Sequence, residues 1–108
     1  MNGWHYIGKV EDIPLQGARI VAVGELGNIA VFRSHSEQIY ALADRCPHRQ
    51  GPLSSGIVHG DKVTCPLHGW TIDLASGEAL GADHGCTRPF AVRSDENGLY
   101  LQLSSNDG

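Results

Sequence analysis

The sequence has 108 residues, of which 41% are hydrophobic, so it fits one domain (residues 1–108) with a single modest core. Its 12 Asp and Glu residues outnumber its 8 Lys and Arg residues, and the sequence contains no run of basic residues. Both features argue against a nucleic-acid partner. The first ten residues lack the pattern of a secretory signal, and no segment is long and apolar enough to span a membrane. We therefore expect a cytoplasmic protein without a membrane partner.

Short apolar runs separated by Gly, Asn, Asp and Ser predict an antiparallel all-β domain of about eight or nine strands. The clearest candidates, in chain order, are residues 4–10, 19–23, 29–33, 39–43, 62–64, 70–73, 90–93 and 99–103. Residues 10–15 are compatible with a short helical turn, but no stretch has the sustained 3.6-residue period of an amphipathic helix. Residues 104–108 are polar and read as a frayed tail.

Two segments, residues 44–53 and 65–69, interrupt this rhythm and are rich in Cys, His, Pro and Gly. The first contains Cys46 and His48, and the second contains Cys65 and His68, so the pattern is Cys-x-His, sixteen residues, Cys-x-x-His. Two thiolates and two imidazoles could hold a tetrahedral zinc ion. However, structural zinc sites more often pair two cysteines on one loop, whereas here each loop supplies one of each donor. The mixture favours a 2Fe-2S cluster over zinc.

In such a cluster, Cys46 and Cys65 are expected to bind one iron, and His48 and His68 the other. Neutral imidazoles in place of two thiolates make the cluster less negative, so an electron is added more easily. The odd count of three cysteines also argues for metal or redox chemistry and against a disulfide framework. No residue has the setting of a catalytic acid, base or nucleophile, so the sequence predicts electron transfer and not catalysis by this chain alone.

With these motifs, nearly the whole chain resembles the Rieske family. The resemblance implies an all-β fold, an antiparallel sandwich or barrel, that carries a two-loop cluster-binding subdomain at about residues 44–70. Residues 46–60 and 65–83 are most similar to the small subunit of assimilatory NAD(P)H-dependent nitrite reductase. In that enzyme a large subunit with flavin, sirohaem and a second cluster reduces nitrite to ammonium, and the small subunit is a redox component.

The alternative is a Rieske ferredoxin that carries electrons from a reductase to a ring-hydroxylating dioxygenase, a family of similar length and ligand spacing. Those proteins commonly have a proline-rich third loop near the cluster. Here the corresponding residues 79–89 contain one proline, Pro89, which favours the nitrite reductase subunit. A third class keeps the Rieske fold as a structural subunit without ligands, but all four ligand positions are intact in this sequence.

Within the family, high-potential members have two further cysteines that bridge the cluster loops. Gly51 and Leu67 occupy the matching positions, and Trp70 and Ile72 stand where hydroxyl donors to the cluster would lie. Fewer hydrogen bonds to sulfur imply a lower potential, so the resemblance implies a low-potential cluster.

Several other residues have reactive or charged side chains without a clear functional pattern. Cys86 reads as a small buried apolar residue, because the four-ligand set is already complete. Trp70 is equally compatible with core packing and with shielding the cluster or contacting a partner. The four remaining histidines read as surface or turn residues, and the loop arginines as solvated charges that could also dock an acidic partner: His5, His35, His59 and His84, and Arg45, Arg49 and Arg88.

Overall fold

The computed structural model describes residues 4–22, 27–44, 52–65, 69–80, 85 and 87–102. These residues form ten strands and two 3-10 turns, and every paired strand is antiparallel, which confirms the predicted all-β class. The strands are β1 Trp4–Gly8, β2 Gly17–Ala22, β3 Asn28–Arg33, β4 Ile39–Ala43, β5 Ile57–His59, β6 Lys62–Thr64, β7 Thr71–Asp73, β8 Pro89–Phe90, β9 Val92–Asp95 and β10 Gly98–Gln102. The 3-10 turns are Val10–Asp12 and Leu53–Ser55.

The strands are arranged in three sheets. Sheet A has the order β1-β10-β9, sheet B the order β2-β3-β4-β8, and sheet C the order β5-β6-β7. Strand β3 shows why sheet B is central: Ile29, Ala30, Val31 and Phe32 are all 0% exposed. Alternate residues of a strand point to opposite faces, so this run of buried residues means that both faces of sheet B are covered.

Each face of sheet B has its own apolar core. Ile29 and Val31 pack in one core with Leu99 and Leu101 of sheet A. The other core contains residues from sheets B and C and from the second 3-10 turn: Ala30, Phe32, Leu42, Leu53, Val58, Val63, Cys65, Ile72 and Leu74. The three-residue strands of sheet C are too short to be stable alone, so this second core holds them against the base formed by sheets A and B.

Several predicted boundaries need correction. Val10 does not extend β1 but begins a 3-10 turn, in agreement with the helical turn considered for residues 10–15. Strand β5 was not predicted, because three residues are too few to show a clear alternation of apolar and polar side chains. Val58 is its only buried residue. The predicted strand at 90–93 is two strands separated by Ala91: Phe90 pairs with Ala41 in sheet B, whereas Val92 pairs with Leu101 in sheet A.

The part of the chain that the structure describes contains no helix long and apolar enough to cross a membrane. The predicted tail at 104–108 and the end of the last predicted strand, Leu103, lie outside the described residues.

Candidate metal centre

Cys65 is the one predicted ligand that lies within the described residues. It directly follows β6 and is 1% exposed, as part of the core beneath sheet C. Its backbone N–H donates to the carbonyl oxygen of Trp70 at 2.7 Å, and the Gly69 N–H donates to the Cys65 carbonyl at 3.1 Å. Gly69 has φ +74°, a conformation that glycine adopts without strain. These bonds fix the two ends of the segment that also carries His68.

The segment that carries Cys46 and His48 is anchored where it leaves β4. The Asp44 N–H donates to the Asn28 carbonyl at 2.9 Å, and the Ala43 N–H donates to the Arg88 carbonyl at 2.8 Å. The Ala43 carbonyl in turn accepts a 3.1 Å hydrogen bond from the hydroxyl of Thr87. The start of this segment is therefore held both by sheet B and by the last residues of the predicted third loop.

The same segment is closed at its other end by a side-chain contact. The Asp44 carboxylate accepts the Ser54 N–H at Oδ1, 2.7 Å away, and the Ser54 hydroxyl at Oδ2, 2.8 Å away. Ser54 lies in the second 3-10 turn, where Leu53 is fully buried. Because hydrogen bonds to a carboxylate are stronger than neutral ones, this contact joins the two ends firmly.

Gly56 brings the first segment against the second. Its position leaves no room for a side chain, because a Cβ would overlap the Thr64 carbonyl oxygen and lie 2.9 Å from Cγ2 of Val63. One residue later, Ile57 of β5 pairs with Thr64 of β6, which immediately precedes Cys65. The end of the first segment is thus in direct contact with the strand that leads to Cys65.

Thr87 is a buried polar residue that could not be singled out from the sequence. Besides its hydroxyl bond to Ala43, its backbone N–H donates to the Gly77 carbonyl at 2.8 Å. Gly77 has φ +78°, and a Cβ there would overlap the Thr87 carbonyl. These contacts hold the end of the predicted third loop against the turn that follows β7. A threonine between a cysteine and an arginine carries no sequence signal for this role.

Tyr40 joins sheet B to the turn between β5 and β6. Burial is the main cause that raises the pKa of its phenol above the ordinary value of 10.0. The negative charge of Asp61, a hydrogen bond to that carboxylate and the charge of Asp73 raise the pKa further. A neutral phenol that donates to Asp61 therefore links the base to sheet C.

Some of the other residues singled out in the sequence lie within the described ranges, and some do not. Trp70 is partly buried and packs against the core of sheet C, which supports the packing role. Arg88 is exposed, with its guanidinium carbon 4.7 Å from the centre of the Phe90 ring. Three of the histidines are exposed as expected: His5, His35 and His59. The other predicted positions lie outside the described residues: Cys46, His48 and His68, and also Arg45, Arg49, Gly51, Leu67, His84 and Cys86.

Within the described ranges, no group of three or more Cys, His, Asp or Glu residues is placed to hold a metal ion. This result leaves the four-ligand set as a prediction, since three of its members lie outside those ranges. The described surroundings fit an iron–sulfur cluster: Cys65 is almost fully buried at a glycine-containing turn, and the first segment is closed against its strand. A donor set of two thiols and two imidazoles also matches this kind of cluster.

A family model for the Rieske 2Fe-2S domain matches residues 3–91. The chain belongs to this family. As a Rieske domain it carries a 2Fe-2S cluster and transfers electrons.

Three curated relatives illustrate the range of the family. The ferredoxin CarAc of Metapseudomonas resinovorans is 38% identical over 76 residues, which are 68% of each chain. The 4beta-methylsterol monooxygenase of Methylococcus capsulatus (strain ATCC 33009 / NCIMB 11132 / Bath) is 40% identical over 75 residues, but the chain spans only 19% of that protein. This chain likewise spans 15% of a cholesterol 7-desaturase of Ciona intestinalis.

Solved Rieske structures resemble the whole domain. A chain in the complex of reduced oxygenase and oxidized ferredoxin of carbazole 1,9a-dioxygenase is 25% identical, with a TM-score of 0.83 and 94% of both chains covered. A structure provisionally described as a nitrite reductase NADPH small subunit is 23% identical, with a TM-score of 0.80, over 94% of this chain and 98% of the other. The second likeness shows the shared fold.

Proposed function

We propose that this chain is a Rieske ferredoxin that delivers electrons to the oxygenase component of a ring-hydroxylating dioxygenase. The observation that carries the proposal is the 38% identity to the ferredoxin CarAc, which covers 68% of each chain. The likeness to a chain of the oxygenase–ferredoxin complex of carbazole 1,9a-dioxygenase, over 94% of both chains, agrees with it. Both similarities extend along most of the domain and are not limited to the ligand motifs.

The site residues of this proposal are Cys46, His48, Cys65 and His68. When bound, a 2Fe-2S cluster accepts and releases one electron. The chain's own contribution is to hold the two ligand segments together: the Asp44–Ser54 contact closes the first, and the Trp70 carbonyl fixes the start of the second. The burial of Cys65 shields its side of the site from water.

The nitrite reductase small subunit is the second candidate. It is favoured by the third loop, where residues 79–89 contain one proline in place of a proline-rich segment. The two functions differ in how the partner binds: a shuttle ferredoxin binds a reductase and an oxygenase transiently, whereas a subunit binds one large partner stably.

The ligand set is tested first, on protein purified without oxygen. Iron and acid-labile sulfide are measured for the wild type and for Cys46→Ala, Cys65→Ala and Cys86→Ala, and the EPR spectrum is recorded after reduction. The two ligand variants should lose the cluster, while Cys86→Ala, the matched control, keeps it. A cluster that survives in Cys46→Ala, or is lost only in Cys86→Ala, contradicts this ligand set.

The partner is tested by mixing the reduced protein with the oxygenase component of carbazole 1,9a-dioxygenase and following its reoxidation by stopped-flow absorbance. A tagged chain is also recovered from its source cells. A ferredoxin should be reoxidised by the oxygenase and be recovered without a stoichiometric partner. Recovery in a stable complex with one large flavin-containing subunit, together with no electron transfer to the oxygenase, would identify the nitrite reductase subunit instead.

A further inference from the structure

Asp44 and Ser54 lie at the two ends of the segment that carries Cys46 and His48. We infer that they form a clamp that sets the separation of these ends and so positions the two ligands; both are positioning residues. The inference rests on the ligand set of the proposed function, but not on the identity of the redox partner. It starts from the two hydrogen bonds of 2.7 and 2.8 Å that the Ser54 backbone and hydroxyl donate to the Asp44 carboxylate.

The clamp joins two points that are themselves fixed. On one side the Asp44 N–H is bonded to Asn28 of the central sheet. On the other side Ser54 follows Leu53, which is 0% exposed, and lies two residues before Gly56, where an added Cβ would overlap the Thr64 carbonyl. A hydrogen bond between two such anchored groups fixes the distance between the ends, whereas a bond between mobile groups would only lower the entropy of a surface loop.

The chemistry of the contact suits this purpose. Asp44 and Ser54 are both half-buried, so water screens the carboxylate less than at an exposed turn. One carboxylate accepts both donors of a single residue, which restricts rotation as well as distance. The carboxylate also takes the place of a capping side chain, because the residue before the 3-10 turn at Leu53–Ser55, Pro52, provides no side-chain cap.

The fold contains a matched pair with which the clamp can be compared. The Asp73 carboxylate accepts the Ser76 N–H at 3.1 Å and the Ser76 hydroxyl at 2.8 Å. These two residues are three positions apart in an exposed turn, whereas Asp44 and Ser54 are ten apart. The same two serine donors are used, although Asp73 accepts both through Oδ2 and Asp44 uses one oxygen for each. The Ser76 pair closes no segment that carries a predicted ligand.

The experiment compares Ser54→Ala with Ser76→Ala in the cluster-loaded protein. Both substitutions remove one hydroxyl and leave the net charge unchanged, so a change in reduction potential reports the arrangement of the site and not an added charge. Cluster release into a chelator is followed by visible absorbance, the potential is measured by voltammetry, and the reduced EPR spectrum is recorded. Ser54→Thr, which keeps the hydroxyl, is the rescue variant.

We expect Ser54→Ala to release the cluster roughly tenfold faster than the wild type, the scale set by one hydrogen bond to a charged group. Its potential and EPR line shape should also shift, while Ser76→Ala matches the wild type and Ser54→Thr restores it. Equal release rates and potentials in Ser54→Ala and Ser76→Ala would overturn the clamp. If Ser54→Ala does not fold, Asp44→Asn is compared with Asp73→Asn by release rate alone, and equal rates again refute the inference.

These outcomes are separate from the test of the partner. A wild-type protein that holds its cluster but fails to reduce the oxygenase removes the ferredoxin proposal and leaves the clamp intact. A Ser54→Ala variant that behaves like Ser76→Ala removes the clamp and leaves the ferredoxin proposal intact.

Discussion

Gly56 offers a direct test of how the two ligand segments are brought together. Its backbone conformation, φ −80° and ψ −178°, is open to any residue, so alanine causes no backbone strain there. The obstacle is space: a Cβ would overlap the Thr64 carbonyl and lie 2.9 Å from Cγ2 of Val63 and 3.1 Å from the Leu53 carbonyl. Since two of these three atoms belong to the backbone, a side-chain rotation cannot relieve the overlap.

We therefore expect Gly56→Ala to lower the free energy of unfolding by about 2 kcal/mol, within the range for overpacked cores. In a domain of this size that corresponds to a fall in melting temperature of about 10 °C. Urea unfolding is followed by circular dichroism and by cluster absorbance. Because the added methyl group would displace the carbonyl of Thr64, the residue before Cys65, cluster absorbance should also decay faster in this variant.

Gly60→Ala is the control for this experiment. Gly60 has φ +60°, and a Cβ added there would have no atom within 4 Å, so alanine at this position is strained but not crowded. The expected cost is about 1 kcal/mol, with no change in the rate of cluster release. A Gly56→Ala protein as stable as the wild type, or one that loses less stability than Gly60→Ala, would refute the close approach of the two segments.

Three further substitutions test the cores and their link. Leu53→Ala, at a fully buried position, should lower the free energy of unfolding in urea by about 2–5 kcal/mol. Ile57→Ala, four residues later but 71% exposed, should change it by less than about 0.5 kcal/mol, and equal losses would contradict the assigned burial. Burial and the charge of Asp61 raise the pKa of Tyr40, so the contribution of Tyr40 to stability should be complete below pH 10.0 and be lost as pH rises through the folded-state pKa. Tyr40→Phe should remove that alkaline loss, and an unchanged pH slope would exclude Tyr40 as its source.

The elements that were predicted well from the sequence are those with a strong local signal. Residues 39–43 and 62–64 were predicted with the observed bounds of β4 and β6, because apolar or β-branched residues there end at polar or cysteine-containing turns. The break at Ala91 could not be predicted. Phe90 and Val92 have ordinary strand propensities, and only the pairing of one with sheet B and the other with sheet A ends the strand between them.

The candidate site also has parts that could be predicted from the sequence and parts that could not. The four predicted ligands follow from their spacing and chemistry, which depend on local sequence alone. Asp44 and Ser54 could not be recognised, because Asp and Ser are common turn residues and their contact depends on how residues ten apart are brought together. The crowding at Gly56 was equally invisible, since it depends on the position of Thr64 in a neighbouring strand.

The contacts that hold the ligand segments all belong to the base and to sheet C, and none of those described requires a particular partner. Ala43 and Asp44 are bonded to the central sheet and to the end of the predicted third loop, while Leu53 fills the second core. The same base can therefore serve a separate ferredoxin or form a small part of a large monooxygenase, as the relatives of this chain do. The exposed side chain of Arg88 lies over the Phe90 ring and takes no part in the core that contains Cys65, so we expect that it can change without disturbing that packing.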